Sequence, residues 1–421
     1  MDLYGELTWR GLVYDATEGT GEVLSREKVT GYIGFDPTAA SLHVGNLQVI
    51  MPLVRMQRLG HSPIALVGGG TGLIGDPSGK TVERQLLTSE KVAANVAGIR
   101  TQLERFLDFG GSNAARLVDN GEWLTKLGAI EFMRDVGKHF TVNAMLAKDS
   151  VKKRLEGSEG ISYTEFSYSL LQAFDFLELH RRHGCTLQMG GSDQWGNITA
   201  GMDLIRRVDG GKAHGLVLPL ITTASGSKFG KTETGTIWLD PQLTTPFEFY
   251  QFWLNADDRD AVKYLKFFTF LSQDRIEQLD RDASKVPEQR IVQRELAREV
   301  TRFVHGDEAV SQAEAAAQSL FRADLVSLDA NALQAMMGKI PSRVTGWTLT
   351  EWPVTDFLTA NTVTSSKGEA ARLIRGGGIS INDRKITDEK TLLKRSDAIA
   401  GQFFVVRKGK RDNFLIRIER G

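Results

Sequence analysis

The sequence predicts an α/β protein, with a doubly wound parallel sheet followed by an α-helical domain and a small α+β module. Three observations predict it. Short apolar runs alternate with amphipathic stretches from about residue 28 to 220, the strand signal then disappears from about 246 to 322, and a basic mixture of a short helix and strands closes the chain.

In chain order the strand-like runs are "GYIGFD" (31–36), "PIALVG" (63–68), "ARLVDN" (115–120), "TLQMGGSD" (186–193) and "GLVLPLIT" (215–222). Each is short, largely apolar and edged by turn-forming residues. Between the first two lies "NLQVIMPLVRMQRL" (46–59), with the pattern of an amphipathic helix. A strand, a helix and a further strand make a βαβ unit, so its strands run parallel. Beyond the sheet, "PEQRIVQRELAREVTRFVH" (287–305) places apolar residues three and four apart, as a helix requires, whereas "SLDANAL" and "GKIPSRVTG" read as linker. The expected boundaries are 1–220 for the sheet domain, 221–240 for a glycine-punctuated loop, 241–325 for the helical domain, 326–347 for the linker and 348–421 for the terminal module.

Composition narrows the function. The apolar stretches are too short and too often broken by charge to span a bilayer, and "MDLYGELTWR" lacks the basic start and apolar run of a secretory signal. Cys185 is the single cysteine, which excludes an internal disulfide and fits a reducing cytoplasm. In "HRRHGC", His180, His183 and Cys185 fall one ligand short of a closed zinc site, so the segment reads as a surface strand edge and no metal is assigned. Net charge is zero, yet residues 361–421 carry fourteen Lys and Arg against seven Asp and Glu, making this tail +7 and the body −7. A basic appendage on an acidic body suits an enzyme that grips RNA.

"GGGTGLIGDPSGKT" (68–81) looks like two nucleotide-binding loops at once. Gly70, Gly72 and Gly75 satisfy G-x-G-x-x-G, but Asp76, Pro77, Ser78 and Gly79 follow, a turn composition that cannot open the helix a pyrophosphate needs. "GDPSGKT" places only three residues between Gly75 and Gly79, one fewer than a P-loop demands. What remains is a strand, a glycine turn and Asp76 delivered to the carboxyl end of the strand, where open α/β sheets bind ligands.

Two further stretches carry chemistry. "GFDPTAASLHVGNLQ" (34–48) runs from a strand into a turn with Thr38 and then a helix start with His43 and Gly45, a setting for polyphosphate. "GSKFGKTETG" (226–235) holds Lys228 and Lys231 in a glycine-punctuated loop able to close over a charged transition state. Taken singly, each is an ordinary helix start or solvated loop. Together and in this order they resemble the paired signatures of the class I aminoacyl-tRNA synthetases, "HVGN" standing for HIGH and "KFGKT" for KMSKS. "GYIGFDPTAASLHVGNL", "GLIGDPSGKT", "SLLQAFDF" and "QMGGSDQWGNI" resemble the bacterial tyrosyl-tRNA synthetase family through most of the chain, and "SSKGEAARLIRGGGISINDRKI" resembles the S4 RNA-binding domain that closes those enzymes.

The resemblance implies a Rossmann-like catalytic domain, an S4-like tail and a two-step ligation with L-tyrosine, ATP and tRNA(Tyr) as substrates, Mg2+ arriving with ATP, in a cytoplasmic homodimer. It implies that Tyr32 and Asp175 meet the substrate phenol, that Asp76, Tyr168 and Gln172 hold its ammonium, and that Gln194 lies beside it. ATP falls to Asp36, His43, Gly45, Asn46, Asp193 and Lys231, with Asp193 on the ribose. Thr38, His43, Lys228, Lys231 and Thr232 stabilise the departing pyrophosphate. No general base is required, because the substrate carboxylate is already ionised. tRNA is assigned to Lys152 and Lys153 in "VKKRLE" and to Lys367, Arg372 and Arg375 in the tail. The segment "IEFMRDVGKHFTVNAML" (130–146) reads equally as a subunit interface or a buried helix. Asn46 departs from the final histidine of HIGH, and Phe229 and Gly230 replace the middle of KMSKS. A tryptophan-specific relative is opposed by the Tyr32 and Asp175 pair, and a catalytically inactive RNA-binding scaffold by His43, Lys228 and Lys231.

Overall fold

The computed structural model describes all residues except 79–85, 157–159, 225, 227–228, 233–234, 323–324, 338–340, 410–411 and 421, and omits the side chains of 149–150, 153, 231–232, 318–322, 327, 335 and 420. The chain divides into two compact units, one of residues 1–244 with 252–304 and the other of 245–251 with 305–421.

The first unit is built on a six-stranded sheet of β1 (Asp15–Ala16), β2 (Thr30–Phe35), β3 (Ser62–Val67), β4 (Arg116–Asp119), β5 (Leu187–Gly191) and β6 (His214–Leu218), in the order β1-β6-β5-β2-β3-β4. From β6 to β4 all neighbours are parallel, and the five expected strands are these five. β1 adds an antiparallel edge that the sequence reading, starting near residue 28, did not contain. All residues of β3 and β6 are buried, as strands covered on both faces should be. The chain leaves β2 toward β3 and β4 on one side and returns to β5 and β6 on the other. That reversal puts a crevice outside the carboxyl ends of β2 and β5, where Tyr32 pairs with Gln188 in register.

Helices Leu47–Arg58, Ser89–Leu103, Tyr163–His183 and Trp195–Asp209 connect the strands. Tyr163–His183 starts under a Ser162 side-chain cap and ends at Gly184, whose left-handed backbone (φ 60) closes it. Cys185 follows directly and is fully buried, its thiol against the Leu187 carbonyl at 3.5 Å. The expected surface strand edge is therefore corrected: the polar His180–Gly184 run belongs to the helix end, and the chain turns inward one residue later. Among the described residues no three His, Cys, Asp or Glu side chains group to hold a metal ion, and no described helix is long and apolar enough to cross a membrane.

The second unit contains a five-stranded sheet, β12-β11-β14-β15-β9, with β9 (Ser342–Trp347), β11 (Ile379–Ile381), β12 (Arg384–Lys385), β14 (Phe403–Lys408) and β15 (Asp412–Arg420). The strands between β6 and β9, Lys231–Thr232 (β7) and Gly235–Thr236 (β8), form a small hairpin in the first unit, and β10 (Glu351–Pro353) pairs with β13 (Leu392–Lys394). Helices Val354–Ala360 and Lys367–Arg375 pack on a core of Trp347, Phe357, Phe404 and Ile416, with Trp347 stacked on Phe404 at 5.7 Å. Part of the expected 326–347 linker is thus a strand: Ser342–Trp347 pairs in parallel with β15, a partner some seventy residues away that local composition does not announce.

Candidate active site

A cavity of about 340 Å³ opens at the carboxyl ends of β2 and β5. Ten expected site residues line it: Tyr32, Asp36, Thr38, His43, Asn46, Asp76, Tyr168, Gln172, Asp175 and Gln194. They come from five places in the chain, one of them the stretch from Thr38 to Asn46 that leads into the helix Leu47–Arg58. Tyr32 sits in β2 and Asp36 just beyond it; Asp76 follows the glycine turn after β3; Tyr168, Gln172 and Asp175 form one stripe of the helix Tyr163–His183; Gln194 ends the short turn after β5.

The deepest part brings Tyr32 and Asp175 together. Asp175 is 1 % exposed, and its two oxygens accept the Trp123 indole N–H at 2.7 Å and the Asn120 amide at 2.8 Å. Burial pushes its carboxyl up to about 8, against the opposing pull of those two donors. Tyr32 is equally buried, edge-on to Phe176 at 5.3 Å, and its hydroxyl has no hydrogen-bond partner among the described residues. Burial, then the neighbouring Asp175, raises the Tyr32 phenol well above its ordinary value, so it keeps its proton. A protonated donor without a partner and an acceptor held by two donors are set to exchange hydrogen bonds with a hydroxyl brought in by a ligand.

Above this lies an acidic belt. The Tyr168 hydroxyl donates to Asp36 at 3.1 Å, and Thr71 donates to the same carboxylate at 3.2 Å. Gln194 donates to Asp76 at 2.8 Å, Gln172 donates to Gln194 at 3.2 Å, and Asn197 donates to Gln172 at 3.1 Å. With the Asp36 and Asp76 carboxyl groups on one cavity, the local field favours a cation such as an ammonium. The glycine turn packs closely against the end of β4. The Gly69 amide donates to Asp119 at 3.1 Å, and a Cβ on Gly69 would lie 2.2 Å from that same oxygen, so only glycine allows the approach.

The outer part is formed by the His43 turn. His43 caps the turn Val44–Asn46: its Nδ1 accepts the Gly45 amide at 3.0 Å, and its own amide donates to the Asn46 side chain at 2.9 Å. Nδ1 is therefore the unprotonated nitrogen of the neutral ring, and Nε2 carries the proton. Asn46 completes a reciprocal cap, which accounts for its place at the end of the motif. The helix Ser89–Leu103 steadies this loop, Asn95 donating to the Pro37 carbonyl at 2.8 Å and Gln102 accepting the Leu42 amide at 2.8 Å.

Gly45 and Asp193 sit beside the lining residues rather than among them, and Asp193 is exposed. Lys228 lies outside the described residues; Lys231 and Thr232 are described as the β7 backbone only. Lys152 is exposed and the Lys153 side chain is not described, while Lys367, Arg372 and Arg375 are exposed, with Lys367 paired to Asp356 at 2.8 Å and Arg375 to Glu389 at 3.3 Å. The sequence reading missed Asn120, Trp123, Thr71, Gln188 and Asn197. Two of these had a signal: Asn120 ends a strand-like run at its carboxyl end, and Gln188 is the polar residue between Leu187 and Met189.

Comparison with known proteins matches residues 24–322 to the family model for class I tRNA synthetases (W and Y), and residues 333–416 to the tyrosine–tRNA ligase SYY-like C-terminal domain. Tyrosine–tRNA ligase of Roseiflexus castenholzii is 54 % identical over 417 residues, covering 98 % of each chain. That of Geobacillus stearothermophilus is 50 % identical over 421 residues, covering 99 % of this chain and 100 % of the relative. Among solved structures, a C-terminally truncated mitochondrial tyrosyl-tRNA synthetase of Aspergillus nidulans superposes with a TM-score of 0.70 at 30 % identity, covering 76 % of this chain and 94 % of that one. A tryptophanyl-tRNA synthetase of Encephalitozoon cuniculi shares the fold at TM-score 0.52 and 13 % identity, covering 79 % of this chain and 91 % of that one.

Proposed function

The chain belongs to the class I tRNA synthetases of the tryptophan and tyrosine group, and from that premise we propose how its own residues divide the work. Its reaction is tyrosine–tRNA ligation: L-tyrosine and ATP give tyrosyl-adenylate and pyrophosphate, and the tyrosyl group then passes to the 3′-terminal adenosine of tRNA, releasing AMP.

Tyrosine enters phenol first. Tyr32 donates to the phenol oxygen, and Asp175 accepts the phenol proton. A site built to hydrogen-bond a hydroxyl rejects the analogue that lacks it, because its buried polar groups stay unpaired; tyrosine against phenylalanine is itself the standard illustration of that rule. Asp76, Tyr168 and Gln172 receive the ammonium, with Gln194 bracing Asp76. The carboxylate then faces the α-phosphorus of ATP and attacks it without a general base. Asp36, His43, Gly45, Asn46 and Asp193 serve the nucleotide. Thr38 and His43 from one side, and Lys228, Lys231 and Thr232 from the other, stabilise the pyrophosphate as charge develops on it, so catalysis is positioning and electrostatic stabilisation. Mg2+ would be held by the ATP phosphates, which offer the hard oxygen ligands it prefers, and would supply charge neutralisation there.

The observation that carries this reading is the pairing, in one buried pocket, of the unpartnered Tyr32 hydroxyl with the doubly held Asp175 carboxylate. Its test is Tyr32→Phe, assayed by pyrophosphate exchange with tyrosine and with phenylalanine. Selectivity is expected to fall by about tenfold or more, as loss of a buried hydrogen bond demands. Unchanged selectivity would remove Tyr32 from the phenol site.

For tRNA(Tyr), Lys152 and Lys153 suit the acceptor end, and Lys367, Arg372 and Arg375 suit the backbone elsewhere. We also place two copies together through the segment 130–146, because Ile130, Met133 and Val142 are 75 %, 53 % and 59 % exposed, which favours an interface over a buried helix. A cytoplasmic setting agrees with the lone, buried Cys185, whose thiol burial pushes up to about 12.

A further inference from the structure

We propose that Phe229 is a positioning residue that registers the two-lysine turn against the His43 turn, through an aromatic socket made by Tyr264 and Phe268 of the helix Asp258–Phe268 together with Phe252 and Trp253 just before it. The inference rests on the role given above to Lys231.

Phe229 is the large apolar residue in "GSKFGKTETG", and it is 7 % exposed. Its ring stacks nearly parallel on Phe268 at 5.3 Å, and lies 5.2 Å from Tyr264, 5.7 Å from Phe252 and 5.9 Å from Trp253. Such an anchor is worth well over the ordinary contact of a loop residue, because a buried aromatic side chain removes a large apolar area from water. Gly230 then turns the chain with φ +82, a conformation that favours glycine. It lies so close to the His43 turn that a Cβ there would stand 2.8 Å from Val44 and 3.5 Å from the Gly45 nitrogen. The Ile237 amide donates to the Gly230 carbonyl at 3.2 Å, and the Val44 amide donates to the Ile237 carbonyl at 3.0 Å. The residues between the two lysines are thus held on one side by a socket and on the other by the His43 turn.

The socket is itself tied back to that turn. Asp260, on the same helix, accepts the Ala224 amide at 2.7 Å and so holds the loop where it begins. The far end of the helix is gripped by Arg55, on the helix that the His43 turn opens: its guanidinium donates to the carbonyls of Phe267 at 2.9 Å and Thr269 at 2.8 Å. Arg10 donates to Lys266 at 2.8 Å and Leu271 at 2.7 Å. Both guanidiniums are 2 % exposed. One strut therefore carries contacts to both halves of the pyrophosphate-handling machinery, which lie far apart in sequence. Ordinary core packing would need the burial but not the joint grip on Ala224, Phe229 and the His43 helix.

The test is a cycle of Phe229→Ala, Phe229→Leu, Lys231→Ala and the double Phe229→Ala/Lys231→Ala in the full chain. It reads the single-turnover rate of adenylate formation, the equilibrium dissociation constant of tyrosine and thermal melting. Phe229→Ala is expected to slow adenylate formation by about 10- to 100-fold, the scale of a small misplacement of reacting groups. Tyrosine affinity is expected to stay within about twofold and Phe229→Leu to recover most of the rate, since the apolar anchor is retained. In the Lys231→Ala background Phe229→Ala is expected to cost under about threefold, because residues that act as a unit are not additive. Equal losses of rate and tyrosine affinity, or full multiplication in the double variant, would mean a purely structural side chain and overturn the proposal. A rate unchanged by Phe229→Ala while Lys231→Ala slows it would overturn the positioning role alone; a rate unchanged by Lys231→Ala would overturn the lysine role and this inference with it.

Discussion

Trp123 donates its indole N–H to Asp175 at 2.7 Å across 52 positions of sequence, and the bond is buried. Its function is to hold a carboxylate that burial would otherwise neutralise further. Replacing Trp123 with Phe keeps most of the ring volume and removes the donor. We predict a loss of about 1.5–3 kcal/mol in tyrosine binding, the range for hydrogen bonds to charged groups, with phenylalanine binding little changed. Pyrophosphate exchange with both amino acids measures this directly; equal losses for the two would locate the defect in the fold rather than at the phenol.

The same carboxyl gives a pH prediction. Its folded pKa, about 8, stands above the ordinary 3.8, so the folded protein holds this proton more tightly than the unfolded chain. The stability it contributes is complete below the ordinary value and is lost as pH rises through about 8. Tyrosine donates its phenol proton in a hydrogen bond and so favours the ionised form. Its affinity is therefore expected to rise between about pH 6 and pH 8, by up to about tenfold per unit, and to level off above. Titration calorimetry across that range should show the trend for tyrosine, and a flat profile would place the Asp175 proton elsewhere.

Asp76 answers the question posed by the glycine turn. In Asp76→Asn the side-chain oxygen can still accept the Ser78 amide, but the charge and the acceptor for the Gln194 amide are lost, so ammonium recognition weakens while the pocket stays filled. Tyrosine affinity is expected to fall by roughly ten- to a hundredfold, the scale of a partly buried charge pair, whereas the desamino analogue 3-(4-hydroxyphenyl)propionate should bind as before. Parallel losses for both ligands would mean that Asp76 only braces the loop.

What could be read from the sequence followed the reach of local pattern. The stripe of Tyr168, Gln172 and Asp175 has the four-and-three spacing of one helix face, which alone reads as readily as a solvated face and gained a role only through the family resemblance, whereas Asp76 was legible because it ends a strand and turn. Asn120 and Trp123 were not, since they meet Asp175 only after β4 is laid beside β3 and the helix crosses the sheet. The strand Asp15–Ala16 is two residues long, too short to show a period. Cys185 was misplaced because its histidine and arginine neighbours belong to the exposed end of a helix that it does not share. Ser342–Trp347 looked like linker because its parallel partner is the distant β15.

On the basic tail, Arg372 and Arg375 stand exposed on a helix capped by Ser366. The double replacement Arg372→Ala/Arg375→Ala is expected to weaken tRNA binding, to lower the slope of log affinity against log salt by about one per lost phosphate contact, and to leave pyrophosphate exchange untouched. Filter binding at several salt concentrations checks it; a slope equal to that of the unaltered chain would move the tRNA contact off this helix.

Amino-acid-dependent exchange of labelled pyrophosphate into ATP, with magnesium and without tRNA, comparing tyrosine, phenylalanine and tryptophan, tests the phenol-reading pair Tyr32 and Asp175 most directly. Exchange with tyrosine alone is the predicted result, because only its hydroxyl satisfies Tyr32 and Asp175 together. Exchange with tryptophan, or none with any of the three from folded protein, would contradict it.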